Sequence, residues 1–285
     1  MVILKLLEAV SLNKKYGMER GWFTRNARSV HAVNNLSLSL ESGETLGLVG
    51  ESGCGKSTLA RLLLGLEKPS SGRVMYRNED YTDWSFSEMR MIRRKMQMVF
   101  QNSLASFNPL FTVEQIIGEP LRNYGERKAG ARRATVADTL ELVGLERRHI
   151  HRYPHELSGG QQQRVGIARA ISLRPELIIC DEPFSSLDVT LRKQMMGLLQ
   201  ELKHELGLSY VFITHDLSVV NRFCDSVAVM CQGEIVEKQS GATMLQQADH
   251  PYTRTLLSSV PVQDPRLRKK RLGTEWQPSH SYDVK

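Results

Sequence analysis

One glycine-rich segment, residues 50–58, constrains the fold of this chain more than any other feature. It reads Gly-Glu-Ser-Gly-Cys-Gly-Lys-Ser-Thr, follows an apolar run of strand length at residues 45–49, and precedes a helical pattern at residues 59–66. Glycines at this spacing let successive backbone N–H groups surround phosphate oxygens, and the N-terminus of the following helix adds positive potential. The segment therefore predicts a strand, a phosphate-binding loop and a helix in that order.

The polar positions of this segment have expected roles at a nucleoside triphosphate. Lys56 would neutralise the β and γ phosphates, and the hydroxyl of Ser57 would hold magnesium. The residues expected to contact the nucleotide are Gly50, Ser52, Gly53, Cys54, Gly55, Lys56, Ser57 and Thr58.

A pair of carboxylates follows a second apolar run of strand length. Residues 177–180 are Leu-Ile-Ile-Cys, and Asp181 and Glu182 come directly after them. Because ligands of a parallel sheet bind beyond the carboxyl ends of its strands, we expect both side chains to face the phosphates. Asp181 is the predicted magnesium ligand, and Glu182 is predicted to orient and polarise the water that attacks the γ phosphorus.

A second potential phosphate contact lies between these two motifs. Residues 157–161 are Leu-Ser-Gly-Gly-Gln, in which a hydroxyl and two glycines open a predicted helix. Such a helix N-terminus can bind an anion, although serine and glycine also favour this position as ordinary caps. The residues expected to reach a nucleotide here are Ser158, Gly159, Gly160 and Gln161.

Together these motifs resemble those of the ATP-binding cassette family, in the same order and over nearly the whole chain. Besides residues 50–58, 157–161 and 181–182, the matching positions are Gln101, Ser186-Leu187-Asp188 and His215. The resemblance implies an ATPase that uses ATP and Mg²⁺. It implies that Gln101 approaches the magnesium and the attacking water and that His215 contacts the γ phosphate. The implied catalytic set is Glu182, His215, Gln101 and Lys56, with Asp188 also at the nucleotide.

The family resemblance also implies a head-to-tail dimer. A helix tip at residues 157–161 would complete the γ-phosphate site of a second subunit, because the same chain holds no second phosphate loop for it. An aromatic side chain that stacks on adenine is a further expectation of the family. Tyr16 is the candidate, and Trp22, Phe23 or His31 are the alternatives.

Three stretches resemble the narrower group that powers uptake of dipeptides, oligopeptides and nickel, namely residues 50–55, 100–109 and 250–253. That group implies an importer with two different ATPase subunits, two membrane-spanning permease subunits and an extracytoplasmic binding protein. A heterodimer at the cytoplasmic face of the membrane is therefore expected. Many relatives carry a cysteine-bearing C-terminal stretch that this chain lacks, which weakly favours a nickel or metal-chelate cargo over peptides.

The predicted fold class is α/β, a P-loop NTPase of the ABC type with a mixed sheet core, an N-terminal antiparallel β subdomain and an inserted helical subdomain. Residues 1–101 would hold the antiparallel sheet and the phosphate loop, and residues 102–157 the helical insert, which proline and glycine punctuate. Residues 158–240 would complete the core, and residues 241–285 would form a partly disordered extension. The apolar runs at residues 73–76 and 97–100 are both assigned to one sheet.

The composition of the chain limits which classes of protein it can belong to. No apolar run approaches the roughly 20 residues that cross a bilayer, and the four cysteines form no CxxC pair. Residues 1–7 are expected to form a strand and not a signal peptide. A net charge of +7 leaves a second function open, an ABC ATPase that acts on nucleic acid or ribosomes. A solvated basic tail around residues 266–271 explains part of that charge as well.

Overall fold

The computed structural model describes residues 5–17, 29–101, 106–185, 187–244 and 247–258, which form two β-sheets with α-helices around them. The strands are β1 (Lys5–Gly17), β2 (Ser29–Glu41), β3 (Thr45–Val49), β4 (Ser71–Tyr76), β5 (Glu79–Asp80), β6 (Met96–Val99), β7 (Leu177–Asp181), β8 (Ser209–Thr214), β9 (Ser226–Cys231) and β10 (Glu234–Ser240). The helices are α1 (Lys56–Leu63), α2 (Phe86–Lys95), α3 (Val113–Asn123), α4 (Ala129–Leu142), α5 (Gly159–Ile171), α6 (Val189–Leu206), α7 (Leu217–Phe223), α8 (Gly241–Met244) and α9 (Pro251–Ser258). Short 3₁₀ helices lie at Arg147–His151 and Pro154–Glu156.

The first sheet is antiparallel, with the strand order β2-β1-β4-β5. Along β2, Leu36, Leu38 and Leu40 are buried while Ser37 between them is exposed. This alternation gives the sheet one apolar face and one polar face, as its period of two predicts. The antiparallel part of the predicted fold class is confirmed.

The second sheet is mixed and has the order β10-β9-β3-β8-β7-β6. Its strands run parallel from β9 to β6, and β10 returns antiparallel to β9 as the second strand of a hairpin. Because β3, β8, β7 and β6 are parallel neighbours, their carboxyl ends lie side by side at one edge of the sheet. This confirms the predicted mixed core.

Both faces of the mixed sheet are buried. Leu177 and Ile179 belong to a core cluster shared with α1 and the antiparallel sheet, whereas Ile178 and Cys180 belong to a cluster shared with α5 and α6. A strand buried on both faces reads as a continuous apolar run, which is why residues 177–180 have no polar alternation. Full burial of one such side chain contributes about 1.5–3 kcal/mol to folding.

One sheet assignment made from the sequence is wrong. Residues 73–76 and 97–100 do not share a sheet: β4 pairs antiparallel with β1, and β6 pairs parallel with β7. The chain changes sheets through α2, which was not predicted. This helix begins at a capping box, in which Ser85 and Glu88 bond to each other's backbone N–H. A four-residue apolar run shows that a strand exists but not which strand it pairs with.

Helices α3 and α4 and the two 3₁₀ helices lie between the mixed-sheet strands β6 and β7 in sequence. Thr112 caps α3 with a capping box to Gln115. The carboxylate of Glu119 on α3 accepts a hydrogen bond from Arg169 on α5 at 3.2 Å, which joins these helices to the core. Of the helices that the structure describes, none combines the length and apolarity needed to cross a membrane.

Candidate nucleotide-binding and catalytic site

The predicted phosphate-binding loop and four further predicted site residues converge at the carboxyl edge of the mixed sheet. The loop at residues 50–55, called here the phosphate loop, follows β3, and His215 follows β8. Asp181 ends β7 with Glu182 directly behind it, and Gln101 lies two residues beyond the end of β6. These four strands are consecutive neighbours in the sheet, so residues far apart in sequence form one continuous row.

Lys56 lies folded back into the phosphate loop. Its ammonium Nζ donates to the carbonyl oxygens of Gly50 at 2.8 Å and of Glu51 at 2.7 Å, and the residue is only 5% exposed. A buried ammonium must keep hydrogen-bond partners, and the loop carbonyls provide them. The charge is therefore held at the loop that leads into α1, where a triphosphate would need it.

Two glycines of the phosphate loop have neighbours that exclude any side chain. A Cβ atom on Gly50 would lie 2.2 Å from the carbonyl oxygen of Met230, and one on Gly55 would lie 2.1 Å from that of Ala32. Gly55 also has φ of +108°, a conformation that L side chains rarely adopt. The loop can therefore follow this path only with glycine at both positions.

Ser57 and Asp181 form the oxygen pair expected to bind magnesium. The Ser57 hydroxyl donates to Asp181 Oδ1 at 3.3 Å. Burial raises the pKa of Asp181, the Ser57 hydrogen bond opposes that shift, and the neighbouring Glu182 charge adds to it. Mg²⁺ prefers hard oxygen ligands and is often bound by one or two protein groups plus phosphates and water. The donor set fits the ion.

The carboxylate of Glu182 is held by residues from the two neighbouring strand ends. Its Oε2 accepts from Gln101 Nε2 at 3.2 Å, and its Oε1 lies 3.1 Å from His215 Nδ1. Its own backbone N–H donates to the carbonyl of Ile213 on β8 at 3.0 Å. The side chain is 18% exposed, so it is fixed in position and still reaches solvent.

The backbone at Glu182 is unusual, since its φ of +48° is rare for a residue with a side chain. The bond to Ile213 fixes this conformation, and the hydroxyl of Ser185 donates to the Glu182 carbonyl at 3.2 Å. Such conformations persist only where surrounding contacts determine them, and they are found often at active sites.

Residues 157–161 form the N-terminus of α5. The hydroxyl of Ser158 accepts from the Gln161 N–H at 3.3 Å, and Gln161 Oε1 accepts from the Ser158 N–H at 3.0 Å. Gln161 Nε2 in turn donates to His149 Nε2 at 3.3 Å. Gly159 is exposed, whereas Gly160 is buried, with Leu191 3.1 Å from the place of its Cβ. The helix start is thus rigid and faces solvent at its tip.

The remaining predicted contacts occupy different places. Asp188 caps α6 by accepting the Leu191 N–H at 2.9 Å, which is a structural role by itself. Tyr16 is 39% exposed near the end of β1, and its hydroxyl donates to Glu67 at 2.5 Å and forms a hydrogen bond with Thr58. Its ring therefore lies next to the start of α1.

Of the alternatives to Tyr16, His31 is exposed on β2. Trp22 and Phe23 lie outside the described residues, as do Ser186, residues 102–105 and the predicted tail beyond residue 258.

Sequence reasoning missed two contacts of the site. Gln101 Nε2 also donates to the hydroxyl of Ser185 at 3.3 Å. The N–H of Glu51 in the phosphate loop donates to the hydroxyl of Tyr252 on α9 at 3.1 Å. Tyr252 belongs to the His-Pro-Tyr-Thr stretch that was noted only as a subgroup resemblance, so a signal was present without a role attached to it.

Comparisons with known proteins show the family of this chain. The family model described as ABC transporter matches residues 33–185, which is more than half of the chain. The chain belongs to the ABC transporter family. Among curated proteins, this ABC ATPase is 47% identical over 270 residues to the probable peptide ABC transporter ATP-binding protein y4tS of Sinorhizobium fredii, an alignment that covers 95% of this chain and 76% of that protein.

A second curated protein and a solved structure are also similar to this ABC ATPase. It is 46% identical to the oligopeptide transport ATP-binding protein OppF of Salmonella typhimurium, over 93% of this chain and 80% of OppF. A solved dimeric ATP-binding cassette in a post-hydrolysis state, bound to ADP and Pi, matches with a TM-score of 0.73 and 32% identity, covering 82% of this chain and 98% of that one. The chain is an ATPase of the transporter type, and the nucleic-acid alternative is not supported.

Proposed function

We propose that this ABC ATPase binds ATP with Mg²⁺ and hydrolyses it to power peptide import through separate membrane subunits. The observation that carries the proposal is the carboxylate of Glu182, which contacts both Gln101 and His215 at the sheet edge that also holds Lys56. A carboxylate oriented by two side chains beside a phosphate-binding lysine is suited to one reaction class, phosphoryl transfer to water.

In the proposed reaction Lys56 leaves the loop carbonyls and binds the β and γ phosphates. Glu182 accepts a hydrogen bond from a water molecule and orients it for in-line attack on the γ phosphorus. The new bond forms between the water oxygen and the γ phosphorus while the bond to the β–γ bridging oxygen breaks, and the water proton moves toward the carboxylate. Mg²⁺, held by Ser57 and Asp181, would neutralise phosphate charge.

Gln101 and His215 have positioning roles in this proposal, since each bonds one carboxylate oxygen of Glu182. His215 would also reach the γ phosphate, as the family resemblance implies. Gly50, Ser52, Gly53, Cys54, Gly55 and Thr58 would contact the phosphates along the loop and the first turn of α1, and Tyr16 would stack on adenine.

We further infer that the tip of α5 serves a nucleotide bound to another subunit. Ser158 bonds within its own helix, its tip faces solvent, and α5 packs on α3, α4 and β6, while α1 packs on β2 and β7. The match to a cassette solved as a dimer supports this inference. Residues 158–161 and Asp188 would then lie at the subunit interface.

The relatives support a proposal for the cargo and the partner subunits. The names of those relatives refer to peptide and oligopeptide transport, so we propose a peptide cargo, with a nickel or metal chelate as the alternative outcome. A second, different ATPase subunit, two permease subunits and an extracytoplasmic binding protein would complete the importer. The chain would then act at the cytoplasmic face of the membrane.

A permease segment has a suitable place next to the catalytic row. A groove lined by Phe100, Phe107 and Tyr124 lies at the residue that precedes Gln101, and Phe100 is substantially exposed. A contact in this groove would change the position of Gln101 and, through it, the carboxylate of Glu182. We propose it as the place where a permease subunit senses the nucleotide.

The proposed division of the chain follows these roles. Residues 1–101 and 158–240 would form the ATP-binding core, residues 102–157 a helical subdomain that carries the contact to the permease, and residues 241–285 an extension. Limited proteolysis with and without ATP would test these boundaries.

An uptake assay tests the cargo and the reaction together. Cells that lack the chain are supplied with wild-type protein or with Glu182→Gln, and uptake of a radiolabelled tripeptide is compared with uptake of ⁶³Ni²⁺. We expect tripeptide uptake only with the wild type. Uptake of nickel without uptake of the tripeptide would contradict the peptide assignment and make nickel the cargo. Tripeptide uptake that Glu182→Gln supports as well as the wild type would contradict the proposed role of this carboxylate.

A further inference from the structure

The proposed reaction gives no role to helix α9 or to the His-Pro-Tyr-Thr stretch at residues 250–253, where α9 starts. One residue of this stretch nevertheless contacts the phosphate loop. The hydroxyl of Tyr252 accepts the Glu51 N–H at 3.1 Å across 201 positions of sequence. Tyr252 is only 2% exposed, so the contact is shielded from water.

The hydroxyl of Tyr252 stays neutral at physiological pH. Burial raises the pKa of Tyr252 to about 12, although the bond from the Glu51 N–H opposes the shift. The thiol of Cys231, at the end of β9, also forms a hydrogen bond with this hydroxyl. A buried neutral hydroxyl with two partners is a fixed part of the structure and not a surface group that exchanges with water.

Glu51 connects this hydroxyl to the lysine of the phosphate loop. Its N–H bonds Tyr252, and its carbonyl oxygen accepts from Lys56 Nζ at 2.7 Å. The orientation of this one residue therefore sets both contacts. If the hydroxyl were absent, the Glu51 N–H would lose this partner and the loop would be free to turn toward other conformations.

The position of Tyr252 is itself fixed by the strand at the edge of the mixed sheet. The carboxylate of Glu237 on β10 accepts the N–H groups of Asp249 at 2.8 Å and of His250 at 3.1 Å. These hydrogen bonds lower the pKa of Glu237 although burial acts in the opposite direction. One partly buried carboxylate thus holds the start of α9 in place.

We propose that Tyr252 is a positioning residue for ATP binding, which holds the phosphate loop in the conformation that accepts the triphosphate and is itself held by Glu237. The proposal rests on ATP binding at residues 50–58. If the loop spends less time in the competent conformation, the apparent affinity for ATP falls by the same factor, whereas the chemistry at Glu182 is unchanged once ATP is bound.

Tyr252→Phe removes only the hydroxyl and is the direct test. Equilibrium binding of a fluorescent ATP analogue to the full chain should weaken by about 3- to 10-fold, the range expected for one neutral hydrogen bond. KM for ATP should rise by a similar factor, while kcat at saturating ATP stays within about twofold of the wild type. A fall in kcat with unchanged KM and affinity would overturn the proposal.

Tyr210→Phe is the matched control. Tyr210 is also fully buried, and its hydroxyl donates to the Leu199 carbonyl at 3.2 Å, away from the phosphate loop. This variant should lower the melting temperature and leave ATP affinity unchanged. Equal loss of affinity in both variants would mean that Tyr252 contributes only to general stability, which contradicts a positioning role.

Glu237→Ala tests the second step of the proposal. It should weaken ATP binding in the same direction, and combining it with Tyr252→Phe should add less than the sum of the two effects, because both act through one contact. Fully additive effects on ATP affinity would show that Glu237 does not act through Tyr252. If the wild-type chain does not bind ATP, the proposed ATPase function itself is refuted. If Tyr252→Phe and Glu237→Ala bind ATP as tightly as the wild type, only the role of Tyr252 is refuted.

Discussion

His215 and Glu182, which follow neighbouring strands β8 and β7, lie with Nδ1 of the imidazole 3.1 Å from Oε1 of the carboxylate. A carboxylate can only accept here, so Nδ1–H donates. Gln101 holds the second carboxylate oxygen from the far side. The carboxylate is therefore positioned by the sheet edge before any substrate is bound, which lowers the reorganisation needed when hydrolysis begins.

Glu182→Gln should separate ATP binding from hydrolysis. The amide has nearly the shape of the carboxylate, so the phosphate contacts of Lys56 and Ser57 survive, but the amide cannot accept the water proton. Turnover should fall by about 10²–10⁴-fold. Analytical ultracentrifugation with ATP should show a stable dimer of the variant, and an ATPase rate equal to that of the wild type would contradict the assignment.

Lys56→Ala should abolish measurable ATP binding. The ammonium is buried and aimed into the phosphate loop, so its removal takes away the only positive charge that the loop itself places at the phosphates. Lys68→Ala is the control, because that side chain is an exposed lysine outside residues 50–58. Equilibrium binding of labelled ATP distinguishes them. Retained affinity in Lys56→Ala, or equal loss in both variants, would be inconsistent with this role.

Alkylation of Cys54 should be slow and should block ATP binding. The thiol is 9% exposed, and burial raises the pKa of Cys54 while Lys56 opposes the shift, so little reactive thiolate forms at neutral pH. Mass spectrometry can follow the modification, and ATP should protect the site. Cys54→Ala keeps the backbone N–H that would contact the phosphates, so it should bind ATP normally and lose its sensitivity to the reagent. Unchanged affinity after confirmed modification would rule out the effect.

Glu176 should make the stability of the chain depend on acid pH. This residue precedes β7 and bonds Lys95 at 2.9 Å, Tyr76 at 2.8 Å and Arg77 at 2.9 Å. Burial acts to raise the pKa of Glu176, but these bonds outweigh it and the pKa lies below the ordinary 4.5. The stabilisation is thus complete above pH 4.5 and is lost as the pH falls through the lowered folded-state pKa.

Glu176→Gln should therefore lower the free energy of unfolding at pH 7 by about 1–2 kcal/mol. The difference from the wild type should shrink as the pH falls below 4.5, since both proteins then present an uncharged group. Urea unfolding at several pH values measures it. Glu141→Gln, which disrupts an exposed pair with Arg147, should change little. A difference that stays constant or grows in acid would contradict the ion-pair account.

Much of the fold could be predicted because its central strands are buried on both faces. Residues 45–49 and 177–180 were predicted as strands from their apolar runs, and each run proved to lie in a strand of the mixed sheet. The partner of a strand could not be predicted in the same way. Strand β4 pairs with β1 and strand β6 pairs with β7, and these choices depend on contacts far away in sequence.

The site shows the same limit. Lys56, Asp181 and Glu182 lie in contiguous motifs whose residue types indicate phosphate and metal binding, so their roles could be predicted from the sequence. The bond between Glu51 and Tyr252 joins residues 201 positions apart, and the bond between Gln161 and His149 depends on where a 3₁₀ helix lies. Neither follows from local pattern, because each is fixed by packing.

We propose that the triphosphate is bound between the phosphate loop of one subunit and the α5 tip of another. With ATP and without the second ATPase subunit, we expect the wild-type chain to pair with its own copy and to hydrolyse ATP, which gives the reference rate. Lys56→Ala and Ser158→Arg chains should each be inactive alone. Mixed together they form pairs with one intact composite site, so the ATPase rate should recover on mixing and rise with protein concentration. If each site were built within one chain, no mixture would contain an intact site, and an ATPase rate that stays at background would contradict the account.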